Sequence, residues 1–189
     1  MNRYQPDRVD LKILFELQAD GRLSIVELAR RINLTKSPCA ERVKRLEQAG
    51  IIRGYRAEID PLALGINHIA FVQVLLNSTT GKDLKIFNHA VSKISEVTSC
   101  QMIAGNFDYL LKVLTRDIHH FRDVLGNQIS TLPGVQQTHT FVVMENVKDE
   151  TTLPLPSKTA IVIILHLFVF LNFFATLQNE KQSQTPLSL

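Results

Sequence analysis

The fold of the amino-terminal part is decided by residues 24–50, "SIVELARRINLTKSPCAERVKRLEQAG". Ser24, followed three residues later by Glu27, forms a capping-box pattern typical of a helix start. Asn33 tolerates the left-handed backbone conformation and indicates a tight turn. Pro38 suits the first turn of a following helix, and Gly50 ends it. The stretch therefore predicts two short helices joined by a tight turn.

The second of these helices is unusually basic. Its stripe of Ala40, Val43 and Leu46 predicts a buried face. Residues 36–56 hold two acidic residues and six basic ones, although the whole chain carries a net charge of only +3: Lys36, Arg42, Lys44, Arg45, Arg53 and Arg56. A lone basic helix is most often a solvated surface, and the alternative is a surface that meets a polyanion.

The flanking segments favour the second alternative. Residues 7–19 place apolar side chains at helical spacing behind an acidic start, and "IIRGYRAEID" (51–60) alternates as a short hairpin or wing. Three helices followed by a wing predict a winged helix-turn-helix DNA-binding domain over residues 1–65, with the basic helix in the major groove of double-stranded DNA.

This placement gives a set of candidate DNA contacts. Ser37 and Arg42 are predicted to contact base edges. Glu41 is left with two alternatives, accepting from a cytosine amino group or pairing with Arg45. The full set is Lys36, Ser37, Pro38, Glu41, Arg42, Lys44, Arg45, Arg53 and Arg56, in which Lys36, Lys44 and Arg45 are better placed for phosphates.

Residues 66–157 have a different pattern. Strand-like segments at 69–76, 97–104, 109–115 and 135–144 alternate with helical spacing around 84–94 and 118–129. The order β-α-β-β-α-β predicts a ferredoxin-like domain, so the chain is placed in the α+β class.

The motifs of both domains, in this order, resemble the leucine-responsive regulatory protein (Lrp/AsnC) family across about residues 6–155. They include "ELARRINLTKSPCAERVKRLEQAG", "MIAGNFDYLLKVLTRD" and "LPGVQQTHTFVVMENVKDETTLPL". The resemblance implies a sequence-specific bacterial transcription regulator that responds to an amino acid and controls genes of amino-acid metabolism. It also implies that residues 25–44 are the helix-turn-helix and that the second domain senses the amino acid and assembles a homodimer or an octamer. Asn33 stands where the family usually has glycine.

The turn "GNFD" (105–108) has two interpretations. A four-residue connection between antiparallel strands is most often only a hairpin turn. The resemblance implies instead that it lines the effector pocket at a subunit interface. Gly105 would leave backbone N–H groups open for a carboxylate, and Asp108 would pair with an ammonium group. The candidate effector-binding residues are Gly105, Asn106, Asp108 and Tyr109.

An enzymatic function is the alternative that the sequence disfavours, because it pairs no nucleophile with a base and contains no glycine-rich phosphate loop. Cys39 and Cys100 are predicted to be small core residues, and neither cysteine nor histidine spacing predicts a metal site. No cofactor beyond the amino-acid effector is expected. The first ten residues lack an apolar signal core, which favours a cytoplasmic, nucleoid-associated protein.

Residues 158–189 form an atypical tail that the resemblance does not explain. Its segment 159–177, "TAIVIILHLFVFLNFFATL", has 19 residues without charge, about the length of a membrane-spanning helix, although His166 and Asn172 weaken that interpretation. Three alternatives stay open: an inner-membrane tether of a membrane-anchored sensor, a segment translated beyond the usual stop, or extra packing at the dimer interface.

Overall fold

The computed structural model describes residues 4–149 and 152–155. They form two compact units: residues 4–57 with 152–155, and residues 58–149. Helices and one antiparallel four-stranded sheet make up these units, which confirms the α+β class predicted from the sequence.

The first unit contains three helices, α1 (Arg8–Ala19), α2 (Ile25–Ile32) and α3 (Lys36–Gln48). Apolar positions at helical spacing bring one face of each helix into a shared core. Cys39 is buried in this core as predicted, whereas Ala40 is only half-buried. The core consists of Ile13, Leu28, Ala29, Ile32, Cys39, Val43 and Leu46.

The tight turn between α2 and α3 is built on Asn33. Its backbone is left-handed, with φ 59° and ψ 48°, which confirms the prediction. The turn is closed by Leu34 N–H, which donates to the carbonyl of Ala29 at 2.9 Å. Ser24 caps α2 by accepting from the N–H of Glu27. The Glu27 carboxylate binds arginines of its own helix, so we observe one half of the expected capping box.

The hairpin predicted for residues 51–60 is not observed. Within the described part of the chain, residues 51–60 contain no strand. The N–H groups of Ile51 and Ile52 donate to the carbonyl of Leu46, so the start of the segment closes the end of α3 instead of starting a ladder. Tyr55 donates to Glu47 of α3 at 3.1 Å. A two-stranded hairpin is marginal in water, and these anchors to α3 compete with it.

The second unit has the predicted β-α-β-β-α-β order. Its elements are β1 (His68–Leu76), α4 (Gly81–Val91), β2 (Val97–Met102), β3 (Tyr109–Thr115), α5 (Ile118–Val124) and β4 (Val135–Val142). A 3-10 turn, Leu62–Leu64, precedes β1, and a π-helical turn, Leu125–Ile129, continues α5. The strands lie in the order β2-β3-β1-β4, all antiparallel to their neighbours.

The two faces of this sheet differ in what covers them. Val72 and Val74 of β1 and Leu111 of β3 are buried with Phe87 of α4, so this face packs on the helices. The alternate side chains lie on the other face, which we call the open face because the helices leave it uncovered. Its cross-strand rows include Lys112–Phe71–Phe141, Leu110–Gln73–His139 and Leu75–Gln137.

The prediction that Cys100 lies in the core is wrong, because Cys100 is exposed. It lies on β2, which is an edge strand that pairs only with β3 in the sheet. Four of the six residues of β2 are exposed. Alternation along a strand therefore does not by itself show which residues of an edge strand are buried.

None of the helices in residues 4–149 and 152–155 is long and apolar enough to cross a membrane. The tail interpretations for residues 158–189, including the tether at 159–177, fall outside the described residues.

Candidate nucleic-acid interface and ligand cavity

The outward face of α3 carries most of the predicted DNA contacts. Because Cys39, Val43 and Leu46 anchor the opposite face in the core, these side chains point to solvent. The exposed residues of the set are Lys36, Ser37, Pro38, Glu41, Lys44 and Arg45 on α3, and Arg53 and Arg56 in the segment after it.

Arg42, which is predicted to contact base edges, binds two carboxylates within the protein. Its Nη1 donates to Asp7 Oδ2 at 2.6 Å and to Asp10 Oδ1 at 2.8 Å, and its side chain is only 24% exposed. The guanidinium therefore fastens α3 to the start of α1. Both bonds come from Nη1, so Asp7 and Asp10 compete with a base edge for this side chain.

Asp10 is the centre of this contact and is fully buried. It accepts from the hydroxyl of Tyr4 at 2.5 Å and from the N–H of Asp7 at 3.0 Å, in addition to Arg42. Asp7 caps α1 by accepting from the N–H of Val9 and of Asp10. A buried carboxylate is tolerated only with such partners, so Asp10 needs Arg42 in place.

Sequence reasoning missed this cluster, although a signal was present. Asp10 lies at i, i+3 and i+7 spacing with Ile13 and Leu17, which puts a charge on the apolar face of α1. A charge at a core position indicates a partner elsewhere in the fold.

The ionisation of the cluster follows from its hydrogen bonds. The bond from Tyr4 to Asp10 raises the pKa of the Tyr4 hydroxyl. Hydrogen bonds to Asp7 and Asp10 raise the pKa of Arg42. Burial acts to raise the pKa of Asp7, but bonds from the N–H of Asp10 and from Arg42 outweigh it, so the net pKa is lowered. Asp7 and Arg42 are therefore both charged at neutral pH.

The cations of α2 are engaged differently from those of α3. Arg30 and Arg31 both bind Glu27, at 2.7 and 2.9 Å, and these hydrogen bonds lower the pKa of Glu27 to about 2. Within the described residues, Lys36, Lys44 and Arg45 form no ion pair. Three exposed cations of α3 are therefore available to a polyanion, as are Arg53 and Arg56 in the segment after it.

The second unit contains a separate feature, a cavity of about 280 Å³ on the open face of the sheet. Its walls combine neutral polar groups with apolar ones, and none of its lining side chains is an acid, a lysine or an arginine. The lining residues are Gln73, Leu75, Asn106, Phe107, Gln137, His139 and Phe141. This combination suits a small molecule that has both a polar and an apolar part.

The four predicted effector residues do not all line the cavity. Asn106 lines the cavity. Gly105 precedes it in the turn without lining the cavity. Asp108 Oδ2 accepts from the N–H of Leu76 at 2.7 Å, and its own N–H donates to the carbonyl of Val74, so this residue fixes the turn to β1.

Tyr109 lies on the helix side of the sheet, away from the cavity. It is 2% exposed, and its ring centroid is 4.5 Å from that of Phe87 on α4. Sequence reasoning missed Phe107 and the five cavity residues that β1 and β4 contribute. Their alternation along two strands placed them on one face but did not show which face stays uncovered.

Comparison with known proteins gives two family matches. Residues 6–53 match the family described as "Winged helix-turn-helix DNA-binding". Residues 69–153 match the family described as "Lrp/AsnC ligand binding domain". The first match covers α1 to α3, and the second covers the sheet, its helices and the cavity.

Individual proteins agree with these matches. The chain is 54% identical over 143 residues to the proline dehydrogenase transcriptional activator of Rhizobium radiobacter, covering 76% of this chain and 92% of that one. It is 44% identical over 152 residues to the leucine-responsive regulatory protein of Escherichia coli K12, covering 80% and 93%. A transcriptional regulator from Neisseria meningitidis, solved as a complex with L-methionine, superposes with a TM-score of 0.75 at 36% identity, covering 80% and 97%.

Replacing Asp10 with asparagine tests the cluster that holds α3. We expect Asp10→Asn to lower the free energy of unfolding by about 2–4 kcal/mol, because it removes one partner of a buried ion pair. The measurement is equilibrium urea unfolding at neutral pH. Glu41→Gln, an exposed acidic residue of α3, is the control and should change stability by less than about 0.5 kcal/mol. Equal effects of the two substitutions would contradict the role of Asp10.

Proposed function

The chain belongs to the Lrp/AsnC family of DNA-binding transcriptional regulators with an amino-acid ligand-binding domain, and from this premise we propose a function for each of its two units. The first unit binds double-stranded DNA through α3. The second unit binds a neutral amino acid in the open-face cavity and pairs with a second copy. The ligand alters DNA binding through that assembly, and the regulated genes serve amino-acid metabolism.

The observation that carries the DNA proposal is the contrast between paired and unpaired cations. Lys36, Lys44 and Arg45 project from α3 and form no ion pair among the described residues, so they retain their full charge for phosphates. Arg42 stabilises the helix that presents them. Phosphate contacts of this kind dominate affinity for a duplex and fix the orientation of the protein on it.

Sequence preference is assigned to the amino-terminal turns of α3. In helix-turn-helix proteins the first residues of the recognition helix contact base edges. Ser37, Pro38 and Glu41 are exposed there. The Ser37 hydroxyl can donate or accept, and the Glu41 carboxylate can accept from a cytosine amino group. Arg53 and Arg56 are assigned to phosphates beside the helix.

The open face of the sheet supports a homodimer. Phe71, Leu110 and Phe141 form an apolar surface there, and Phe141 is 54% exposed. An exposed apolar sheet face with a polar rim is typical of an interface, and a two-fold axis lets the same face pair with itself. The octamer implied by the family resemblance would then be built from four such dimers.

The cavity adjoins this surface, because Phe141 belongs to both. A ligand there would contact the interface and could favour one assembly over another, as linkage requires. Its neutral lining favours an amino acid with an uncharged side chain. Two similar proteins support this choice, since one is named for its response to leucine and the other was solved as a complex with L-methionine.

A regulatory, non-enzymatic role is supported by the relatives, which are named as transcriptional regulators. A protein that binds the chromosome of a bacterium acts in the cytoplasm, so we place the chain there, associated with the nucleoid.

Lys44→Gln tests the electrostatic role of α3. Removing one phosphate contact should reduce the magnitude of the slope of log affinity against log salt by about 0.9. The measurement is fluorescence anisotropy on a duplex over a salt series. Lys85→Gln, which removes an exposed lysine of α4, should leave the slope unchanged. An unchanged slope for Lys44→Gln would exclude this residue as a phosphate contact.

Phe141→Asp tests the proposed dimer. An aspartate at the interface would bury a charge, so we expect dissociation to monomers at concentrations where the parent protein is dimeric. Sedimentation velocity gives the species directly. Ile86→Asp alters a similarly exposed apolar residue on α4 and should leave the dimer intact. If Phe141→Asp stays dimeric, the chain pairs through a different surface.

Asn106→Ala tests the cavity. Loss of a polar contact to the ligand should weaken amino-acid binding about tenfold. Titration calorimetry would compare L-leucine, L-methionine and L-proline with L-aspartate and L-lysine. His89→Ala, at an exposed position on α4, is the control. Unchanged affinity in Asn106→Ala, or equal affinity for the charged amino acids, would refute the assignment.

A further inference from the structure

Tyr4 occupies a distinctive position in the first unit. It precedes α1, and its ring packs on the core formed by the three helices. Its hydroxyl donates to Asp10 Oδ2 at 2.5 Å, and Asp10 is fully buried. The ring is therefore held at both ends, by apolar contact along its body and by a hydrogen bond at its tip.

The free face of this ring lies beside Arg45 of α3. Arg45 Cζ is 5.8 Å from the centroid of the Tyr4 ring, within the range of a cation–π interaction. Arg45 is exposed, and it is one of the α3 cations that form no ion pair among the described residues. A ring fixed in this way restricts where the guanidinium can lie.

The chemistry of this contact differs from that at Arg42. There, two carboxylates neutralise the guanidinium and accept its N–H groups. An aromatic face takes none of the five N–H donors of Arg45 through a conventional acceptor and leaves its charge intact. Arg42 and Arg45 are thus held by two different means, one that occupies Nη1 of the guanidinium and one that occupies none of its nitrogens.

We propose that Tyr4 is a positioning residue for DNA binding, which orients Arg45 toward a phosphate before the duplex arrives. Long side chains lose conformational freedom when they bind, and a preoriented side chain loses less. The inference rests on the proposed role of α3 in DNA binding and adds to it a residue outside the helix-turn-helix.

A double-mutant cycle on the full-length chain tests this proposal. The variants are Tyr4→Leu, Arg45→Gln and the two combined, with Tyr4→Phe as the matched control that keeps the ring and loses the hydroxyl. Affinity is measured on a mixed-sequence duplex of about 30 base pairs across a salt series starting at about 50 mM. Thermal melting confirms that each variant is folded, and Tyr4→Met replaces the leucine variant if that one is unfolded.

We expect Tyr4→Leu to weaken binding roughly two- to fivefold in the parent protein and to have no further effect in Arg45→Gln. Tyr4→Phe should keep the parent affinity although it melts at a lower temperature. Arg45→Gln alone should reduce the magnitude of the salt slope by about 0.9.

Three results would overturn the proposal. If Tyr4→Leu weakens binding equally with and without Arg45, or leaves the parent affinity unchanged, Tyr4 does not act through Arg45. If Tyr4→Phe loses as much affinity as Tyr4→Leu, the hydroxyl bond to Asp10 carries the effect and the ring does not. A normal salt slope in Arg45→Gln would instead remove Arg45 from the phosphate contacts, and the Lys44 measurement would show separately whether α3 binds DNA.

Discussion

The interface on α3 depends on one buried charge, the carboxylate of Asp10. Removed from water, it needs hydrogen-bond donors, and it finds them in Arg42, in Tyr4 and in the backbone of Asp7. Because Arg42 belongs to α3, satisfying this carboxylate fixes the rotation of α3 against α1. The remaining cations of α3 then face solvent. The same ion pair that engages Arg42 within the protein thus leaves its neighbours on α3 exposed for the proposed contact with DNA.

The two units offer complementary chemistry. In the first, three exposed cations of α3, Lys36, Lys44 and Arg45, form no ion pair among the described residues. In the second, a cavity with a neutral lining adjoins an apolar sheet face. In the proposed homodimer, a ligand that fills the cavity would contact the face through which the two copies pair, and the pair would carry two α3 helices. Linkage then works in both directions, because a ligand that favours one assembly is itself bound more tightly by that assembly.

Local pattern predicted the elements well. Interactions within a few residues determine the helical spacing of Leu84, Phe87 and Val91 and the alternation along β3. The left-handed turn at Asn33 is determined locally as well. The features that the sequence did not predict depend on long-range contacts. The partner of Arg42 lies 32 residues away, so its spacing on α3 could not distinguish an ion pair from a DNA contact. The cavity joins residues of β1 and β4 to the turn before β3, and sequence order does not show that they meet. The hairpin predicted for residues 51–60 does not form because contacts to α3 compete with a weak hairpin.

The most direct test is to compare how fast each lysine is acetylated in the free protein and on a duplex, with each site resolved by mass spectrometry. If α3 lies against DNA, Lys36 and Lys44 should be protected when the duplex is bound, whereas Lys82 and Lys85 of α4, which are equally exposed in the free chain, should react as before. Unaltered reactivity of Lys36 and Lys44 on the duplex, or protection confined to α4, would contradict the account.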